Sequence, residues 1–517
     1  MQPADNSFIV GYTVLNEFDY SKLHHTLISL TYVEQMKVTE TIPDIIVDRR
    51  PMLFVIIDRL RREIFLTLFF AAFFILVSLD GPTDLSTEGY KVLCVFFLCV
   101  SLWATNLIPL SITSLLAIAA IPMMGIMDAS EVYSFFGNKA VYFILGVFII
   151  SAAMIACGLS ARLSMWVIDN WGNNPSHLLM AIYFFAALSS CFMSEHAVAA
   201  MMFPIVFEIV NALNLKKGDS ILGKGMFFAL AWGCIIGGTT TVFGGGRVLL
   251  GVEILEKTTR GASIGILEYT QLSFPMVLIL FACGWLVLKF TFPPDIEDIG
   301  PAHQILKKKR DAMGPVTLKE TGVAGVVILT FVAWLWFSED FGIANIALVS
   351  IVMLFVLNLV NWKMVEEHVN WSIILMYGGA ICLGEVMSQS GAALWLAKRT
   401  FEGATHSAPL FLLIVAVLCT LLTTFMSNSA AIAILLPPTL SMCDTYGISP
   451  SMAAMAVILP SNFAFMLPVG TPASAIAYSS RYISVGEMLR TGFILSLLGV
   501  VAFAVLLFFY WPMIGYR

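Results

Sequence analysis

Charge is scarce in this 517-residue chain: Asp, Glu, Lys and Arg make up 12% of it, where a soluble protein carries roughly 25%. Apolar residues make up 59%, and only the first sixty positions read as soluble. The few Lys and Arg sit in short clusters rather than a stripe, and the net charge is −6, which argues against a nucleic-acid partner. The nine cysteines, among them Cys94, Cys99, Cys157 and Cys234, fall mostly inside apolar runs. They have neither Cys-x-x-Cys nor Cys/His spacing, so they read as buried thiols and not as a disulfide framework or a metal site. No Gly-x-Ser-x-Gly elbow or Asp/His partner spacing accompanies the serines, which speaks against an enzyme and leaves no call for a cofactor. A secretory signal pattern is missing too, because the start is polar and the first apolar span begins near Ile64.

What is present is one long apolar run after another. Residues 1–63 alternate polar and apolar and end in Arg59, Arg61 and Arg62, which marks a cytoplasmic extension by the positive-inside rule. Spans follow at about 64–80, 88–106, 108–127 and 139–158, each long enough to cross a bilayer at about 1.5 Å per residue. Another, about 225–250, is interrupted by the glycine-rich stretch Gly237–Arg247. Further spans lie at about 270–291, 321–338, 342–361 and 371–391. One more is broken at Pro468–Pro472, and the last runs about 490–512. The loop carrying Lys307–Arg310 falls on the cytoplasmic side. Residues 178–212 and 408–442 are read as re-entrant hairpins, because a straight span through the first would place Glu195 and His196 in lipid. The fold class is therefore an all-α polytopic membrane protein of about eleven transmembrane helices and two re-entrant hairpins, expected in the plasma (inner) membrane with lipid around it.

The chain also contains part of itself twice. Gly146, Gly158, Ser194 and Pro204 recur as Gly379, Gly391, Ser427 and Pro437 at a constant 233 positions (379 − 146, 437 − 204). The first hairpin reads Phe-Met-Ser-Glu-His-Ala-Val and the second Phe-Met-Ser-Asn-Ser-Ala-Ala. Five crossings separate the units, an odd number, so the repeat is expected to be inverted. Polar, helix-breaking residues at matching depths of such repeats point to a transporter binding site. One detail is discordant: Lys398 and Arg399 fall on the outside.

Each hairpin tip and the broken helix after it would meet near the midplane. Unwound carbonyls and hydroxyls suit a hard cation there, and helix N-termini suit an anion. In the second unit the groups are Thr423, Ser427, Asn428, Ser429, Gly470, Thr471 and Pro472. In the first they are Ser194, Glu195, His196 and Arg247. The plainer alternative, hydroxyls merely bonding neighbouring helices, loses ground once the repeat and the paired Gly/Pro breaks are counted. Arg247 either pairs with Glu195 in place of a coupling cation, grips an anion directly, or only locks hairpin to broken helix. His196 is a proton carrier, a neutral donor to substrate, or a satisfied core residue. Glu208 and Glu385 read as structural.

Met426–Pro437 and Ala464–Pro472, with Met193-Ser and Ala200–Pro204, resemble the divalent anion/sodium symporter family over roughly residues 64–512. The resemblance implies a scaffold (64–138 and 270–370) and repeat cores (139–269 and 371–489), with 490–517 as the last helix. It also implies a homodimer, elevator-type alternating access, and small substrates such as dicarboxylates, citrate or sulfate. It places Ser194, Ser427, Asn428, Ser429, Thr471 and Pro472 at the anion. Ser190 and Ser194 would belong to a first sodium site, and Thr423, Asn428 and Gly470 to a second. The first tip departs from the family pattern, with Glu195 and His196 where it has Asn and Thr, and Gly244–Arg247 where it has Gly-Thr-Pro-Pro. This suggests reduced or absent sodium dependence, as anion exchange or proton coupling. The rivals are a symporter using only its second cation site and a non-transporting anion receptor.

Overall fold

The computed structural model describes residues 52–516 apart from 138, 172–173, 260, 402–404 and 406. Residues 1–51 of the expected extension lie outside the described residues, and 52–63 belong to the first helix, which starts earlier than predicted. Among the described residues all regular structure is helical. The chain runs α1 (Met52–Ser78), α2 (Thr87–Thr105), α3 (Leu110–Met123), α4 (Ala129–Phe136), α5 (Lys139–Ala156) and α6 (Leu159–Trp171). The first hairpin is α7 (Pro175–Ser190) and α8 (Glu195–Ala212), followed by α9 (Ile221–Gly238) and α10 (Gly246–Thr259). Next come α11 (Ile266–Thr291), α12 (Gly300–Ala312), α13 (Leu318–Phe341), α14 (Ile343–Val356), α15 (Trp362–His368), α16 (Trp371–Gln389) and α17 (Ala392–Phe401). The second hairpin is α18 (Ala408–Phe425) and α19 (Asn428–Ser441). It precedes α20 (Cys443–Tyr446), α21 (Pro450–Ile458), α22 (Pro472–Ser479) and α23 (Val485–Val505).

Nine helical stretches among the described residues are long and apolar enough to cross a bilayer. Helices α3 and α14, predicted as full spans, are shorter. Each has 14 residues, about 21 Å of helix. Gly125 and Asn358, both at positive φ, follow their C-terminal ends.

The internal repeat is written into the backbone. Residues 110 and 123 map by the 233-residue offset onto 343 and 356, so α3 and α14 have matching ends. Gly158 and Gly391 both take positive φ, as do Gly125 with Asn358 and Asn214 with Gly447, the left-handed turns that end helices. The packing is crossed. Gly146 of α5 lies against Ala347 of α14, while Gly379 of α16 lies against Ser114 of α3; Ala347 is itself the mate of Ser114. Past residue 214 the constant offset is lost.

Two features differ from expectation, and a third concerns Arg399. Gly237 and Gly238 lie inside α9, and the break covers 239–245. The reason is contact: a Cβ on Gly237 would sit 2.0 Å from the Ala187 carbonyl oxygen of α7, so glycine lets two backbones touch. Lys307–Arg310 belong to a helix, α12, whose Ala302 and Leu306 are buried. Arg399, discordant in sequence, pairs with Asp84 at 3.1 Å and lies over the Trp395 ring.

Candidate functional site

Ser194 and Ser427 take the same conformation before their helices, φ −61 ψ 138 and φ −65 ψ 145. Each hydroxyl accepts from the backbone N–H three residues on, at Ala197 and Ala430, the N-cap arrangement. The next backbone N–H in each tip donates across to the broken segment that follows. Glu195 donates to the Gly244 carbonyl at 2.9 Å and Asn428 to the Gly470 carbonyl at 3.4 Å. Glycine is required at these segments, because a Cβ on Gly244 would lie 2.2 Å from the Ser190 carbonyl and one on Gly470 2.7 Å from Ala464.

The two tips and two broken segments enclose one cavity of about 100 Å³. Ser194, Glu195, His196, Arg247, Ser427, Asn428, Ser429, Gly470 and Pro472 all line it, so residues far apart in sequence come together. The N-terminal ends of α8, α10, α19 and α22 therefore converge there. Each such end carries about half a positive charge in unsatisfied N–H groups, which makes the cavity complementary to an anion. Thr471, Thr423 and Ser190 do not line it. Thr471 caps α22, accepting from Ser474 N at 3.1 Å. Ser190 is buried behind the first tip.

The two tips differ in chemistry. At the second, Thr423 Oγ1 lies 2.6 Å from Asn428 Oδ1 and 2.9 Å from the Ser461 carbonyl oxygen. A hydroxyl has one hydrogen and can donate to only one of them. Together with the Gly470 carbonyl this forms a nest of neutral oxygens, the donor set a hard cation takes. At the first tip Arg247 Nη1 meets Glu195 Oε1 at 2.5 Å, both side chains being less than a tenth exposed. Arg247 Nε donates to Asn462 Oδ1, and Asn462 is held in turn by donating to the carbonyls of Ile458 and Leu459. The guanidinium lies folded over Gly245, whose added Cβ would be 2.9 Å from its central carbon. Four buried polar atoms of cavity residues have no protein partner: Glu195 Oε2, His196 Nδ1, Arg247 Nη2 and Asn428 Nδ2. Buried polar groups are nearly always bonded, so this cluster is the arrangement of a site made for a polar ligand.

Sequence reasoning missed Tyr377 and Asn462. Tyr377, buried on α16, lines the cavity, accepts from Ser429 Oγ at 3.2 Å and packs its ring on Gly246. Tyr377 has the apolar Ile144 as its repeat mate and Asn462 lies past the stretch where the offset holds, so only the three-dimensional contact reveals them. Glu208 pairs with Lys309 at 2.7 Å, and Glu385 accepts from Gln389; neither lines the cavity.

A helical chain with nine apolar membrane-length stretches among the described residues and a small cavity between two hairpin tips that bear polar side chains is a multi-pass membrane transporter. The family model described as the sodium:sulfate symporter transmembrane region matches residues 61–516, and the chain belongs to that family. It is 26% identical over 468 residues to a sodium-dependent dicarboxylate transporter, SdcS, of Staphylococcus saprophyticus, covering 85% of this chain and 89% of that one. Identity to the Staphylococcus aureus protein of the same name is 26% over 462 residues, covering 84% and 88%. Among solved structures the fold is similar to the YdaH transporter of Alcanivorax borkumensis, with TM-score 0.51, 16% identity and coverage of 74% of this chain and 88% of that one. It is likewise similar to MtrF of Neisseria gonorrhoeae, with TM-score 0.51, 13% identity and coverage of 86% and 93%.

Proposed function

We infer that this protein is a secondary transporter of small dicarboxylates whose first cation site has been taken over by Arg247, so that turnover proceeds by anion exchange with reduced or absent sodium dependence. The observation that carries this reading is the buried Arg247–Glu195 pair at the first tip, set against the neutral oxygen nest at the second. The guanidinium, neutralised by Glu195, fills the place that the family resemblance gives to a first sodium ion, whereas the relatives are named as sodium-dependent. Its unpartnered Nη2 and the unpartnered Asn428 Nδ2 are donors for one carboxylate of the substrate. Ser194, Ser427 and Ser429 add hydroxyls, and the four helix N-termini supply the field. His196 stands beside them as a further donor or a proton carrier.

The inverted two-unit architecture supports an elevator mechanism. In it the repeat cores 139–269 and 371–489 form the moving body against a scaffold of 64–138 and 270–370, with a scaffold-mediated homodimer in the plasma membrane and a cytoplasmic N-terminus. Thr423, Asn428, Ser461 and Gly470 fit a sodium ion at the second tip, which favours one second reading: a symporter coupled through that site alone. The test is uptake of radiolabelled succinate, with citrate and sulfate in parallel, into proteoliposomes that are empty or preloaded with the same anion, with and without a sodium gradient. Uptake that requires internal anion and ignores sodium is expected. Sodium-driven uptake into empty vesicles would overturn the exchange reading in favour of the second, and tight binding without flux would mark a receptor.

A further inference from the structure

The internal repeat tells which polar residues the architecture itself demands and which were added. Beside the anion cavity lies a second, smaller one of about 10 Å³, room for about one water molecule. It shares Phe148, Ser194 and His196 with the first, so the side chains of Phe148 and His196 stand between the two. It adds Ser151 of α5 together with His368 and Asn370, where α15 passes into α16. Ser151 is buried and His368 exposed, so a polar lining runs from the anion cavity to the surface. Asn370 caps α16, accepting from Ile373 N, and adds another helix N-terminus to the path.

The repeat mates do not keep this lining. Gly384 stands for Ser151, Phe135 for His368 and Gly137 for Asn370, while Ser429 replaces His196. On that side the matching space is filled. Ser429 donates to the Tyr377 hydroxyl, and the Phe136 ring lies so near Gly378 that a Cβ there would be 2.2 Å from it. Helix α16 packs along α19, whereas its mate α5 meets α8 only lightly.

We propose that the polar vestibule of Ser151, His196, His368 and Asn370, which here has room for water alone, is the route by which the substrate enters and leaves once it widens, and that Tyr377 and Phe136 seal the cavity on the opposite side. The proposal rests on the anion-transport reading and names its route. The occupant is a small dicarboxylate, met by two imidazoles, an amide and a helix N-terminus. The open side is the one that bears the Lys307–Arg310 run of α12, since the crossings α13 and α14 return the chain to it.

The test uses two single variants of the full chain in proteoliposomes, Ser151→Cys and its repeat mate Gly384→Cys. The Cβ of the second meets nothing nearer than 3.5 Å. A membrane-impermeant maleimide is added to either face, and modification is read by peptide mass spectrometry, which resolves the native cysteines. Ser151→Cys is expected to be modified from the α12 face and to be protected by succinate. Gly384→Cys should react on the order of tenfold more slowly from either face, as a biased two-state equilibrium gives, and Tyr377→Phe should speed it. Equal rates at the two mates, no protection by succinate, or no effect of Tyr377→Phe would overturn the proposal. Succinate flux in the same vesicles separates the two readings. No transport by the unmodified chain sinks the functional assignment, whereas transport with the wrong labelling pattern sinks the route.

Discussion

A lone arginine decides how this site is charged. Arg247 and Glu195 cancel each other, so the attraction for an anion comes from helix ends and from donors the pair leaves unused. Removing one partner strands a buried charge, which typically costs about 3–5 kcal/mol. Arg247→Gln and Glu195→Gln alone should each lower the melting temperature in detergent and abolish succinate transport. The double variant should recover most of the stability without recovering transport. If the two losses simply add, the pair is not coupled. Asn462 acts through Arg247, so Asn462→Ala should raise KM for the anion, while Asn462→Asp, which keeps an acceptor at that point, should lose less. At this scale the sequence was legible where polarity broke an apolar run, as at Ser194–His196 and Ser427–Ser429. It was silent on Tyr377 and Asn462, because a single tyrosine or asparagine in a membrane helix differs in no local way from one that merely bonds a neighbour.

Helix ends, more than helix interiors, position the chemistry. Ser194, Ser427 and Thr471 start the helices that face the cavity, and Gly244 and Gly470 in the broken segments permit the close backbone approach. Gly391 has φ +74 and open space around it, so Gly391→Ala should cost about 1–2 kcal/mol through the left-handed conformation alone. A scanning melt of the purified protein measures it. Another end lies outside the membrane spans. Asp295 accepts from the backbone of Leu222 and Ile221 and from Ser220 at the start of α9. Partial burial works to raise its pKa, but those hydrogen bonds win and hold the carboxyl below the usual range. A depressed carboxylate stabilises the fold above its unfolded value of about 3.9 and loses that contribution as pH falls through the folded value. Asp295→Asn, which keeps an acceptor but loses the charge at the start of α9, should therefore cost about 0.5 kcal/mol at neutral pH, a difference that shrinks in melts below about pH 4. Such ends are partly visible in sequence as Ser, Thr, Gly and Pro. Helix α12 was not, since a run of Lys and Arg reads as a solvated loop until Ala302 and Leu306 are seen to dock.

For the whole molecule, the constant spacing of Gly146, Gly158, Ser194 and Pro204 from their mates was enough to read two similar units and two facing tips. It could not show that the units are interlocked. A glycine in an apolar run says that something comes close, and not what. The structure supplies the partner: Ser114 in the first unit serves Gly379 in the second, and Ala347 in the second serves Gly146 in the first. Neither half thus holds the surface its own glycine helix was shaped for. If the chain is severed in the connector between Ala312 and Leu318, each fragment made by itself should be degraded or aggregate. The two expressed together should find each other, co-purify without a covalent link and regain succinate exchange, so that the molecule behaves as two strangers who hold each other's keys.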